Sequence, residues 1–248
     1  MEFQMVCLLY EYVNQTFIKN QGGYTMKKST LFLLICIIFC MSELHSQDTL
    51  YVQSNEVIQD AILSASDNDV IIVAPGTYFE NIDFVGKQII VASNFLLDGD
   101  TNHIYNTVID GSLNSASVVS FVTNEDTTSK IIGFTITGGS GVEAPGFGTI
   151  VRVGGGILCL DAGAKIMHNR IINNAVEHYN LSCGGGIGSI NYNGSNWIVI
   201  ENNTISDNVV STAGFSAFGG GIYLESDGVI RGNRIELNVC TNTNQYAD

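Results

Sequence analysis

Proline is nearly missing from this 248-residue chain, which has 2, and tryptophan occurs once. Charge is scarce too: 14% of residues are charged, and Lys and Arg number 10 against 24 Asp and Glu. A formal net charge of −14 repels nucleic acid and anionic membranes. It also disfavours polyanionic ligands, unless calcium or a local basic patch intervenes. Lys, Glu and Leu are too few for a mainly helical protein. The apolar run Leu31 to Cys40 is too short for a comfortable transmembrane span, and no second run follows. What the chain does have is 27 Gly, with much Asn, Ile, Val, Ser and Thr. β-Branched residues punctuated by Gly and Asn predict many short strands joined by tight turns.

The stretch 26–46 reads as a secretory signal: Lys27 and Lys28, then the apolar run, then polar residues and a small one at Ser46 before Gln47. Residues 1–25 have no clear period and precede a complete signal, so a mis-called upstream start is expected for them. Gln21-Gly22-Gly23 can be encoded as a ribosome-binding sequence ahead of Met26. Removing 1–46 leaves 7 basic and 21 acidic groups, an unchanged balance. Of six cysteines, Cys159, Cys183 and Cys240 remain. An odd number is no disulfide framework, and buried small side chains are expected. Residues 47–248 are expected to form one solenoid domain.

Internal repetition is the dominant signal. Ile136, Ile171, Ile205 and Ile235 recur at separations of 35, 34 and 30 residues. Five residues before each stands another isoleucine: Ile131, Ile166, Ile200 and Ile230. Two residues before come Phe134, Asn169, Asn203 and Asn233; three after come Gly139, Asn174, Asn208 and Asn238. Gly-Gly-Gly-Ile follows at Gly154, Gly184 and Gly219. In a parallel β-helix each coil lies about 4.8 Å from the last, so equivalent residues stack. Isoleucines then form an apolar column, asparagine amides hydrogen-bond along the axis, and Asn tolerates a left-handed corner. Glycine triplets at every repeat would break helices instead.

The predicted fold is therefore all-β, a right-handed parallel β-helix solenoid with a short N-terminal capping helix. Strands are expected at Val70–Ala74, Tyr78–Ile82, Gln88–Ala92 and Thr107–Asp110. Residues 55–65 carry a helical apolar stripe with Ser54 or Asn55 as N-cap. Nothing in the last ten residues is expected to shield Ile235, so the sequence reads as a fragment of a longer solenoid. The surplus length in each repeat falls in inserts at 140–153, 175–183 and 209–218. Inserts at one corner must emerge on one side, where solenoids present binding surfaces.

Ile58 to Tyr78 resembles the cap and first coil of pectin-lyase-like β-helices. The Gly-Gly-Gly-Ile and Asn-x-Ile-x-x-Asn repeats resemble those of large exported surface proteins of Gram-negative bacteria. Chlamydial polymorphic outer-membrane proteins have a similar pairing. The resemblance spans most of the chain from about Leu50 and implies an extracellular or outer-surface location. The fold hosts lyases, hydrolases, adhesins and inert stalks, so activity must come from the site.

A polysaccharide lyase needs a base beside a cation. Arg170 and Arg234, with Arg152, Lys165 and Arg231 nearby, are the candidates, and solvated surface charge is the alternative. The arginine-around-proline pattern of pectate lyases is absent, because the prolines are Pro75 and Pro145. A hydrolase needs paired carboxylates. Asp98, Asp100, Asp110 and Asp161 read better as turn residues, and no Asn-Thr-Asp, Asp-Asp, Gly-His-Gly set occurs. Calcium at 67–69 or 98–100 would lack its remaining donors. His103, His168 and His178 are scattered, so no metal cofactor is expected.

The inserts carry Phe147, His178, Tyr179, Phe215 and Phe218. These aromatics could stack on sugar rings, contact a protein, or fold back over the coil. The expected role is a non-catalytic exported scaffold presenting a binding surface to a polysaccharide or a surface protein. The alternative is a lyase or glycoside hydrolase of the same fold.

Overall fold

The computed structural model describes residues 17–20, 23–26, 47–192 and 196–243. The chain divides into two units, 1–46 and 47–248. In the first, Phe17–Asn20 and Gly23–Met26 pair antiparallel. Residues 27–46, the body of the expected signal, and most of 1–25 lie outside the described residues.

The second unit is a parallel β-helix. One sheet stacks seven strands from Thr49–Val52 through Ile90–Ser93, Ala164–Met167 and Trp197–Glu201 to Asp227–Arg231. A second stacks six, from Gly76–Tyr78 through Arg170–Ile172 to Arg234–Glu236, and a third stacks five, from Ile82–Asp83 to Ile222–Tyr223. The isoleucine columns form as expected: Ile131, Ile166, Ile200 and Ile230 are in register, as are Ile136, Ile171, Ile205 and Ile235. All are fully buried except Ile230 and Ile235 in the last coil, which are about half exposed. Each buried isoleucine is worth roughly 1.5–3 kcal/mol.

Two asparagine ladders run along the axis. The Asn169 and Asn203 amides donate from Nδ2 to the Oδ1 of Asn203 and Asn233, at 3.2 and 3.0 Å. Asn174 and Asn208 donate likewise to Asn208 and Asn238, at 3.0 and 2.9 Å. The left-handed backbone, however, belongs to the residue before each ladder position. His168, Asn202 and Gly232 precede one ladder, and Asn173, Asp207 and Leu237 the other, all with φ between 52° and 66°. The ladder asparagine is then free to turn its side chain inward.

Local readings differed in places. Tyr78–Ile82 is not one strand: Gly76–Tyr78 and Ile82–Asp83 lie in different sheets. The intervening Glu80 is the reason, because its carboxylate accepts the Ile58 and Gln59 amides at 2.8 and 3.1 Å. Helix α1 accordingly runs Ile58–Ser64, capped by Glu80 rather than by Ser54 or Asn55. Its Ile58 and Ile62 are fully buried in the main core. At its other end Lys87 Nζ donates to the carbonyls of Ile62, Leu63 and Ala65, 2.6–2.8 Å away, offsetting the helix dipole.

The inserts are strands rather than loops. Ala175–His178, Val209–Thr212 and Val239–Asn242 stack in parallel, and so do Leu181–Cys183 and Ser216–Phe218. Their alternation of exposed and buried residues, as in Ala175-Val176-Glu177, is the period-2 signature of a half-covered strand. The coil therefore carries five strands, and the extra pair forms a layered flap at one corner.

Candidate functional site: an aromatic edge on the flap

The longest insert begins the flap as a hairpin, Val142–Gly146 against Thr149–Val153. Its second strand pairs in parallel with Leu181–Cys183, which pairs with Ser216–Phe218. This sheet lies over the outer side of the third sheet of the helix. Val151, Val153, Leu181 and Cys183 form one buried cluster with Leu158 and Ile190. The Ile157–Leu160 strand is therefore apolar on both sides because both sides are covered. The Cys183 thiol is pushed up to about 12, first by burial and then by Glu225.

Phe147 occupies the hairpin tip with φ of +51°, followed by Gly148 at +75°. A bulky residue in this region is strained, and here the strain holds an aromatic ring at an edge. Its ring centroid lies 6.4 Å from that of Phe218 and 6.3 Å from that of Tyr223, and those two are 6.1 Å apart. Phe147 also borders a cleft of about 450 Å³ with Gly148, Thr149, Leu181 and Phe215. Phe215 is 74% exposed and Phe147 59%. Tyr192 joins the group through its hydroxyl, which donates to the Pro145 carbonyl. The Tyr223 hydroxyl donates to Glu225 Oε1 at 2.8 Å, and burial followed by this carboxylate holds its pKa well above the ordinary value.

Of the five candidates read from the sequence, the fold brings Phe147, Phe215 and Phe218 to this edge. Tyr179 stands exposed at the neighbouring turn, where its carbonyl accepts the Thr212 hydroxyl. His178 instead faces Glu143 at 3.8 Å. Tyr192 and Tyr223 escaped the sequence reading. Tyr223 directly follows Gly-Gly-Gly-Ile, at the position of Leu158 and Gly188. Alternation makes that position face outward, so an aromatic residue there was a usable signal.

The charged candidates are engaged elsewhere. The Arg170 guanidinium lies over the Tyr105 ring, 5.6 Å from its centroid, and Arg234 pairs with Glu236 at 2.8 Å. Lys165 and Arg231 both pair with the buried Glu201. Arg152 donates to Ser115 Oγ at 2.8 Å. Asp98, Asp100 and Asp110 accept backbone amides two residues on, in turns, and Asp69 accepts that of Ser66, while Asp161 and Asp67 accept the amides of Tyr192 and Gln88, 31 and 21 residues on. His103 meets Asp98 at 3.1 Å, while the His168 ring lies against Phe95. Among the described residues no group of three or more His, Cys, Asp or Glu side chains could hold a metal, and no helix is long and apolar enough to cross a membrane.

No protein-family model matches the chain. Comparison with curated proteins and with solved structures likewise finds no match.

Proposed function

We propose that the protein is an exported or cell-surface β-helix scaffold whose flap edge binds carbohydrate, in the manner of an adhesin or carbohydrate-binding module. The observation that carries this reading is the gathering of Phe147, Phe218 and Tyr223 around centroid distances of 6.1–6.4 Å beside the cleft at Phe215. Exposed rings on a rigid sheet offer flat apolar faces to the C–H faces of sugars, at little cost in conformational entropy. The repeat resemblance to exported bacterial surface β-helices supports the location and the scaffold role.

The test is a panel of neutral, cationic and anionic oligosaccharides, titrated by calorimetry against the full chain and Phe147→Ala and Phe215→Ala variants. Stacking predicts that either variant weakens binding by about tenfold, the value of one ring contact at about 1–1.5 kcal/mol. Binding that persists unchanged in both variants, or is absent across the panel, overturns the reading.

A further inference from the structure

The aromatic edge is also the place where the molecule's negative charge meets exposed rings. Glu225 accepts the Tyr223 hydroxyl through Oε1 and is itself exposed. Asp161 accepts the amide of Tyr192, on the same edge. Burial first, and then Asp161 and Glu225, disfavour ionisation of the Tyr192 phenol, and burial followed by Glu225 does the same to the Cys183 thiol. Three cations of the coils, meanwhile, are turned to other partners: Arg152 reaches Ser115 and the Gly141 carbonyl, while Lys165 and Arg231 converge on Glu201. The ring faces of Phe147, Phe218 and Tyr223 add their own negative quadrupoles. The whole chain, at −14, reinforces the sign.

Three rings within 6.4 Å of one another, beside a carboxylate, offer a sugar both an apolar platform and an anionic rim. A uronate or sulfated sugar would be repelled by that rim. A sugar bearing an ammonium gains from it twice, through the carboxylate and through the ring faces.

We infer that the aromatic edge selects glycans carrying free amino groups, such as deacetylated amino-sugar chains, with Glu225 as the residue that sets the preference. This rests on the carbohydrate-binding role proposed above, and its failure can be separated from failure of that role.

The experiment compares hexamers of glucosamine, of N-acetylglucosamine and of galacturonate, by calorimetry with the full chain at about pH 6, where amines are charged. The glucosamine hexamer is expected to bind about tenfold more tightly than the N-acetyl hexamer, a difference of about 1.4 kcal/mol. The galacturonate hexamer is expected to bind most weakly. Glu225→Gln, which keeps an acceptor for the Tyr223 hydroxyl, is expected to bring the two amino-sugar hexamers to within about twofold of each other in affinity. Asp60→Asn, a carboxylate on helix α1, keeps the preference and so separates a local effect from net charge. Equal binding of the two amino-sugar hexamers, or a preference that survives Glu225→Gln, overturns this inference while leaving carbohydrate binding intact. A preference lost equally in Asp60→Asn also overturns it, since overall charge would then be its source. Absence of all binding overturns both.

Discussion

Replacing Asn208 by alanine tests the physical basis of the stack. Its Oδ1 accepts the Asn174 amide at 3.1 Å and the Asn174 Nδ2 at 3.0 Å, and its own Nδ2 donates to the Ile171 carbonyl at 2.9 Å and to Asn238. The side chain is fully buried. The Asn174 Nδ2 keeps the carbonyls of Ile136 and Ile172, so the losses centre on the Asn174 amide and the Ile171 carbonyl. At about 1–3 kcal/mol for each of the two buried groups deprived of its partner, the cost is roughly 2–6 kcal/mol. Asn238 makes the same contacts on one side but is only partly buried. Water can replace its side chain, and Asn238→Ala is expected to cost about 1 kcal/mol or less. Urea unfolding followed by the single tryptophan, Trp197, reads the coil that contains Asn208. Equal costs for the two variants, or a cost below about 0.5 kcal/mol for Asn208→Ala, would refute the ladder as a source of stability. Asn208→Asp sharpens the test. It retains an acceptor but turns a buried charge toward the Ile171 carbonyl and Asn238 Oδ1, which raises the carboxyl pKa in the folded state. Its stability should then be greatest below about pH 4 and fall as pH rises.

Gly156→Ala would set a methyl carbon 2.6 Å from the Gly186 carbonyl oxygen of the next coil and 2.9 Å from Asn174 Nδ2. A loss of about 1–3 kcal/mol in urea unfolding is expected, and an unchanged midpoint would show that coils can part more easily than their packing implies. Thiol labelling at about pH 8, mapped by peptide mass, should modify the exposed Cys240 quickly and leave Cys159 and Cys183 protected until the chain is unfolded. Rapid native labelling of Cys183 would contradict the covered flap. Lys87→Met removes three hydrogen bonds to carbonyls at the end of α1. Hydrogen exchange should accelerate across Ile58–Ser64 while the Ile171 column stays protected, and a uniform acceleration would show that α1 and the coils open together.

The central coils were legible because like residues stack on like. A column of Ile131, Ile166 and Ile200, or of Asn174 and Asn208, repeats its chemistry at the coil period, and the eye finds it without knowing the coil's outline. The flap strands repeat only a parity. Val176 lies over Val210 and then over Cys240, and His178 over Thr212. Beyond the Val176–Val210 pair these positions share a register and not a residue type, and Cys240 in the last coil is exposed, so the segments read as inserts. Glu80 was missed as the cap of α1 because it acts across 22 residues, whereas capping patterns are searched within three or four. The aromatic edge was half legible for a related reason. Phe147, Phe215 and Phe218 advertised themselves as aromatics in surplus segments, but Tyr223 sat inside the repeat and was absorbed into it. His178 shared its segment with Tyr179, yet the strand ends at His178, which faces Glu143, and Tyr179 falls in the turn that follows.

The direction of the hydrogen bonds carries a mechanical consequence. In this architecture the sheet bonds and both asparagine ladders point along the axis on which the coils stack, so tension applied along that axis loads successive coil interfaces in series. Coils should then peel away one at a time, never shearing as a block. Each event would release a coil of about 34 residues, roughly 110–120 Å of extended chain. A tether built this way gives length in fixed increments at low, repeated force, and dissipates a pull without surrendering the flap on coils still wound.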